Sequence, residues 1–521
     1  MIDDDDQRLP TTSDPHWYTD DPPTFAALDE DQRVDVAVVG AGIAGLMIAA
    51  ALVDDGRSVA IVESRQVGRG VTGSSTAKVT ALHGRTYADL AARRGSEVAR
   101  QYALANQLGV EDFDRLIARY DIDCAWTRLP AYTYTTDPAR VGDVEREHRA
   151  ASSAGLPVTL TRDLDLPFVI HAAVRCENQA MVDPVRFCIG LARGLAASGV
   201  SIYEHTRAVA IEPTSTPGRG LVVHGEGGKV RAEAVVLATQ LPVVDPGLFF
   251  ARTTPVRSYA LAATLRHPVP DGLFLGIDTP TRSLRPVASG STTGVFGGAS
   301  HRVGEGGDTR LVLQSVERWV RGSFDVESVG SRWSAQDYTT PDDVPFIGRM
   351  PASPDGVYVA TGFKKWGFTT AAVAGRIIAD LIGGRDAPWS STFDARRIPH
   401  DLHALGETAR GNASVATHFV GDRIRTARAE GIEELAVGEG AIVRVGDTKV
   451  AAYRDERGET HVRSARCTHL GCLVAWNPAE RSWDCPCHGS RFAVDGSVIT
   501  GPATRALDDV DVSDAPGPAP G

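Results

Sequence analysis

Apolar and polar positions in this chain follow two periods in turn. RVDVAVVG (33–40) is apolar at nearly every position before a glycine, the pattern of a strand buried on both faces. AGIAGLMIAAALVDDG (41–56) then carries an apolar run of helical length that stops at Gly56, and RSVAIVES (57–64) returns to strand. Strand, glycine turn, helix and second strand make one βαβ unit. Further along, QYALANQLGVEDFDRLIARY (101–120) has helical spacing. VSIYEHTRAVAIE (200–212), GLVVHG (220–225), EAVVLAT (233–239) and YVATGF (358–363) read as strands. The last leads into an apolar helix from about Thr369 to Leu381. From about 395 to 430 the chain is polar and Arg-rich, a linker; strand-like segments resume at Ala441 and run to about Val512, followed by a flexible SDAPGPAPG tail.

At 521 residues the chain exceeds a single core, so two or three domains are expected. Its 42% hydrophobic and 23% charged residues are those of a globular protein. Charge is uneven. Residues 1–31 hold ten acidic side chains against one Arg8, so nine of the twelve net negative charges lie in an extension expected to be solvated. No basic patch points to nucleic acid. MIDDDDQRLP is not a signal peptide, and no apolar run is long enough to span a bilayer; a cytoplasmic location is the expectation.

Of seven cysteines, Cys124, Cys176 and Cys188 are scattered and read as small buried side chains, whereas four fall between 467 and 487. Cys467-Thr-His469 and Cys485-Pro-Cys487-His488 form two short loops, each offering one thiolate and one imidazole. Such a set can hold a [2Fe–2S] cluster, with two cysteines on one iron and two histidines on the other, or a Cys₂His₂ zinc ion. Ser490, placed to donate to a cluster sulfur, and a stiff Gly501-Pro502-Ala503 loop favour the cluster. SARCTHLGC (464–472), WDCPCHGSRF (483–492) and GEGAIVRV (438–445) resemble the Rieske domains of cytochrome bc-type complexes over about 433–512. The resemblance implies ligands Cys467, His469, Cys485 and His488, exposed histidine rings as the electron exit, and a Cys472–Cys487 disulfide. High-potential members carry Tyr two residues after the Ser; Phe492 stands there instead, which implies a lower potential.

Gly40-x-Gly42-x-x-Gly45, set between an apolar strand and a helix, allows a pyrophosphate to approach the helix N-terminus. Glu63, 18 residues past Gly45, can accept from ribose hydroxyls. Three features favour FAD over NAD: AVVLATQ (234–240), with Thr239; Asp342-x-x-Pro345-Phe-Ile-Gly348; and VYVATGFKKWGFTTAAVAGRIIADLI (357–382), with Gly362 and Gly367. These resemble the glycine/D-amino-acid oxidase-like superfamily over about 33–390, and the loop 68–78 matches its flavin-contacting loop in character. The resemblance implies that the helix near Gly367 points its N-terminus at the flavin.

The expected architecture is an α/β Rossmann-like FAD-binding domain with an inserted α+β substrate domain, then a small all-β Rieske domain. Boundaries are placed at 1–33 (acidic extension), 34–395 (oxidoreductase), 396–432 (linker), 433–512 (Rieske) and 513–521 (tail). The expected function is oxidation of an amine or amino-acid-like substrate at a C–N bond by hydride transfer to flavin, with electrons leaving singly through the cluster to an acceptor the sequence does not name. Other readings are a flavin/iron–sulfur electron-transfer protein without a small-molecule substrate, and a cluster-regulated sensor. His83 and Lys365 are the candidate catalytic residues, with Lys78 and Trp366 expected close by. Arg257 with Tyr259, and Arg285, are candidates to bind a substrate carboxylate.

Overall fold

The computed structural model describes residues 9–18, 24–214, 220–398, 431–446 and 448–510. The linker expected at 396–432 lies almost wholly, and the tail at 513–521 wholly, outside the described residues.

The βαβ unit forms as read: strand Gln32–Val39, helix Ile43–Asp54, strand Val59–Val62. These strands sit inside a sheet ordered 346–349, 357–361, 229–237, 32–39, 59–62, 201–203. The last five run parallel, with registers such as Val38↔Val236, Val38↔Ile61 and Val236↔Tyr358. Parallel strands buried on both faces need apolar side chains throughout, which explains why 33–40 does not alternate. The helix Ile43–Asp54 is apolar on nearly all sides because it is wedged between this sheet and the helix Gly367–Ile382.

The segment read as one strand at 200–212 is two. Ser201–Tyr203 joins the parallel sheet, while Ala208–Pro213 turns away to pair with Leu221–Gly225. The middle of the chain forms a nine-stranded, largely antiparallel sheet among the described residues. Its long strands Thr254–Leu265 and Val326–Thr339 pair edge to edge, and Thr127–Thr135 and Ala172–Met181 lie towards the far side. The helix Thr309–Ser323 covers part of one face.

The C-terminal part is all β: a three-stranded sheet (440–445, 448–454, 460–464) and a four-stranded one (475–477, 482–484, 491–492, 498–500). Its core gathers Cys467, Cys472, Cys485 and Cys487 with Trp483 and Phe492.

The acidic extension corrects an expectation. The described acidic side chains Asp14, Asp29, Glu30 and Asp31 are exposed, but the described backbone packs on the fold. Trp17 is buried, its indole N–H donates to the Ser75 carbonyl (2.9 Å), and the Tyr18 hydroxyl donates to the Arg69 carbonyl (2.8 Å). Leu28 is buried as well, its N–H donating to Thr206 Oγ1 at 2.9 Å.

Candidate functional site

The glycine turn is a cradle because no side chain fits in it. Gly40 has φ +107°, and a Cβ there would lie 2.8 Å from the Ala238 carbonyl oxygen. A Cβ on Gly45 would overlap the Gly40 carbonyl oxygen. Gly42 caps the helix without a side-chain hydrogen bond, and Thr72 Oγ1 instead accepts from Ile43 N–H at 3.0 Å. Glu63 accepts from Ala41 N–H and Arg65 N–H, both at 2.8 Å, so its carboxylate is held at the mouth of the turn.

The strands 32–39, 229–237 and 357–361 are parallel, so the residues following each lie on one edge of the sheet. That edge therefore carries Gly40, Thr239, Gln240 and 362–366, where ligands of open α/β sheets bind. Thr361 Oγ1 donates to the Gln240 carbonyl and ties two of these turns together. Lys364 and Lys365 both take left-handed conformations (φ 49° and 70°) leading into the helix that begins at Gly367. Lys365 N–H donates to Asp337, and the Lys365 side chain is accessible. Burial raises the pKa of Asp337 to about 6, with the Lys365 N–H bond and charge opposing the shift.

Segment 76–83 is the seam between this edge and the nine-stranded sheet. On one side Thr369 Oγ1 donates to the Thr80 carbonyl (3.2 Å), and Trp366 stacks on His83 with ring centroids 4.3 Å apart. On the other side Lys78 Nζ donates to Ser283 Oγ, and Arg285 donates to the carbonyls of Thr76, Val182 and Pro286. Lys78 is buried, which pushes its pKa down to about 7, with the Arg285 charge acting in the same direction. His83 is buried too. Its Nε2 lies 2.6 Å from the Thr80 carbonyl, which fixes the proton there, and Nδ1 accepts from Tyr102 OH at 2.8 Å. Burial lowers its pKa to about 3, so the ring is neutral.

In the C-terminal domain, Cys467, His469, Cys485 and His488 converge from two loops. Nδ1 of His469 and Nδ1 of His488 are both buried and without a protein partner. A buried orphan acceptor is costly, and two of them beside two free thiols are what a metal cluster satisfies. The flanking Cys472 and Cys487 form a disulfide. Ser490 hydrogen-bonds to Cys467 and accepts from Ala503 N–H at 3.0 Å, so the Gly501-Pro502-Ala503 loop does close over the site. Phe492, fully buried, brings no hydroxyl.

The two halves of the chain meet through a polar, buried interface. Arg257 pairs with Glu480 and with Asp484, each at 3.0 Å, and also donates to Ser334 Oγ (3.0 Å) and Gln336 Oε1 (3.1 Å). Arg491 pairs with the same two carboxylates. Side-chain exposure is 1% for Arg257, 8% for Glu480 and 9% for Asp484. Thr309 Oγ1 donates to Asn477 Oδ1 (2.6 Å), and Thr12 N–H donates to the Ala479 carbonyl (2.8 Å). Phe250 packs edge-on against both histidine rings, with centroids 5.4 Å from His469 and 4.8 Å from His488.

Residues 35–381 match the family described as FAD dependent oxidoreductase, two thirds of the chain. The chain belongs to that family. Residues 428–511 match the Rieske [2Fe–2S] domain. YhfW of Bacillus subtilis (strain 168), which carries the name Rieske 2Fe-2S iron-sulfur protein, is 35% identical over 500 residues, covering 95% of this chain and 97% of YhfW. The glycine oxidase of Geobacillus kaustophilus superposes with a TM-score of 0.58 at 21% identity, over 70% of this chain and all of the oxidase. L-Amino acid deaminase from Proteus myxofaciens gives 0.59 at 18% identity, over 75% of this chain and 98% of the deaminase. At such identities these two show the fold alone.

The protein is therefore an FAD-dependent oxidoreductase with a fused Rieske domain, and its cofactors are FAD and a [2Fe–2S] cluster. Among the described residues no helix is long and apolar enough to cross a membrane. The residue arrangement fits both groups: the Gly40–Gly45 cradle with Glu63 suits the dinucleotide, and the orphan Nδ1 pair with Cys467 and Cys485 suits the cluster.

Several expected roles change. Asp342 is not free to bind the cofactor, because its carboxylate is held by Arg94 (2.8 Å) and bidentately by Arg397 (2.9 and 2.8 Å). A Cβ on Gly362 would crowd Thr340, so this turn at the cofactor edge admits no side chain there, and Gly348 packs near Leu381 and Ala395. Arg257 belongs to the domain interface and Arg285 to backbone carbonyls, which leaves neither guanidinium for a substrate carboxylate; Tyr259 OH pairs with His301 Nε2 at 3.1 Å. The histidine edge is only partly open, because Phe250 lies against both rings and His488 is 5% exposed, while His469 is half-buried. Sequence reasoning missed Phe250, Gln336, Tyr338 and Glu480, none of which lies in a motif, and Asp484, which sits inside 483–492 but is not one of its ligands.

Proposed function

We propose that this oxidoreductase oxidises an amine or amino-acid-like substrate at a C–N bond, and that the Rieske cluster passes the electrons on singly to an acceptor outside the chain. The observation that carries the substrate class is Lys78. It is a buried lysine at the seam between the cofactor edge and the nine-stranded sheet, with Ser283 as its hydrogen-bond partner. A buried cation without a carboxylate beside it is expensive, and an anionic group on the substrate relieves that cost. Lys365, accessible at the cofactor edge, adds a second cation there.

When bound, FAD supplies a two-electron acceptor and the cluster a one-electron carrier. The protein's part is positioning. Neutral His83, held by Tyr102 and Thr80, fixes the indole of Trp366 at the start of the Gly367 helix. We assign His83 to that supporting role, and Lys365 to holding charge at the cofactor edge.

The test is anaerobic mixing of the holoenzyme with a panel of amines and amino acids, following oxidised-flavin absorbance. Bleaching by carboxylate-bearing amines, weakened in Lys78→Met, supports the reading. Failure of every small molecule, with bleaching by a reduced protein partner instead, overturns it in favour of a pure electron carrier.

A further inference from the structure

Two strings of hydrogen bonds cross from the cofactor edge to the cluster loop. In the first, Gln240 Nε2 donates to the Gln336 carbonyl, and Gln336 Nε2 donates to the Gly489 carbonyl at 2.7 Å. In the second, Lys364 N–H donates to the Tyr338 carbonyl at 3.1 Å, and Tyr338 OH donates to the His488 carbonyl at 2.8 Å. Both strings start in turns at the carboxyl ends of the parallel strands, and both end on the backbone of the ligand loop Cys485–Ser490. Between them the chain adds Asp337, which accepts from Lys365 N–H. Strand residues 336–338 are thus shared by the two sites.

This arrangement differs from the rest of the interface. The Thr309–Asn477 bond holds the domains together yet touches neither the cofactor edge nor a cluster ligand, and the ionic group around Arg257 meets the strand segment only at Gln336 Oε1. Gln336 and Tyr338 are buried and bonded on both sides. A Cβ on Gly489 would lie 2.9 Å from Tyr338 Oη and 3.0 Å from Pro255 Cβ, so the ligand loop meets this strand backbone to side chain, with no room between.

We propose that strand segment Gln336–Tyr338 is the bridge across which electrons pass between flavin and cluster, with Tyr338 as the positioning residue that couples them. Each passage moves one electron from two-electron-reduced flavin to the cluster, where one Fe(III) becomes Fe(II). No protein bond forms or breaks, and the Tyr338 proton stays on its oxygen. The cluster's direct redox partner is then its own flavin domain, held in fixed register. The proposal rests on the reading above only in needing both cofactors bound.

The experiment uses the holoenzyme, with flavin reduced by light under anaerobic conditions, so that no substrate is needed and a wrong substrate class leaves the result untouched. The appearance of the reduced-cluster signal by electron paramagnetic resonance is timed in the parent, in Tyr338→Phe and in Thr309→Val. Tyr338→Phe keeps the ring and removes the bond to His488. Its rate is expected to fall about tenfold, equivalent to about 1.4 kcal/mol, with the flavin-reduction rate unchanged. Thr309→Val, which loses a cross-domain bond off the bridge, is expected to keep the parent rate. An unaltered rate in Tyr338→Phe overturns the proposal, and so does an equal slowing in Thr309→Val, which would mean that any loosening of the interface suffices. If Tyr338→Phe does not fold, Gln240→Ala, which cuts the other string at its start, carries the same expectation and the same refutation.

Discussion

Replacing Arg257 with Met should free the Rieske domain from the flavin domain. The guanidinium is 1% exposed and makes two ion pairs at 3.0 Å, to Glu480 and Asp484. Its removal leaves two buried carboxylates facing Arg491 as the remaining cation of the group, a net negative charge in a site with little water. Breaking a buried pair by removing one partner costs about 3–5 kcal/mol, because the desolvation of the orphaned charge is no longer offset. Loss of the bonds to Ser334 Oγ and Gln336 Oε1 adds to that. At about 1.4 kcal/mol per factor of ten, the docked population falls by a factor of roughly a hundred to several thousand.

The four ligands and the disulfide lie outside this group, so the cluster should remain. The assay is calorimetry of the holoenzyme with cluster absorbance recorded over the same temperature range. The parent is expected to lose both cofactors in one transition. Arg257→Met is expected to show two, with the cluster band surviving past the flavin transition or lost before it. The double variant Arg257→Met/Asp484→Asn should recover part of the loss, because one stranded charge is removed with its partner. A single unshifted transition in Arg257→Met would refute the argument.

Three further expectations follow from single residues. Phe492→Tyr restores a hydroxyl next to the cluster sulfurs, and a hydrogen bond to a charged group of about 1.5–3 kcal/mol corresponds to a rise of about 60–130 mV in midpoint potential, read by redox titration; a fall or no change sinks the idea. Gly45→Ala drives a methyl into the Gly40 carbonyl, so the variant should purify without flavin; a yellow protein with stoichiometric FAD would contradict this. Lys78 releases its proton at a pH of about 7 when folded and about 10.5 when unfolded, so the unfolded chain holds more protons across that window and stability rises with pH through it. Lys78→Met should therefore gain most in thermal midpoint over the parent near pH 6, with the gain shrinking towards about pH 10; a gain that widens with pH is the wrong sign.

What was legible in the sequence were features with local causes. Gly40, Gly42 and Gly45 are dictated by a turn within one βαβ unit, and Cys467, His469, Cys485 and His488 by two short loops. Both sets can be read from a window of a few dozen residues. The nine-stranded sheet was not legible strand by strand. Thr254–Leu265 and Val326–Thr339 carry interior polar residues such as Arg257, Ser334 and Gln336, which break an apolar pattern because they bond to Glu480, Asp484 and Gly489 across the interface. Asp342 and Arg285 misled for a related reason. A charged residue near a motif looks available until the structure supplies Arg94 and Arg397 for one, and three carbonyls for the other.

The same reasoning reverses how the histidine edge is understood. From sequence alone, rings on two surface loops present themselves to an outside acceptor. In the folded chain Phe250 packs against both rings and leaves only His469 partly exposed, Tyr338 and Gln336 hold the loop behind them, and a group of paired charges fixes the whole against the flavin domain. A domain that had to swing between partners would not bury two arginines and two carboxylates at its contact, since each undocking would have to break pairs whose separation costs several kcal/mol. The fused cluster is therefore best understood as part of the flavin domain's own structure.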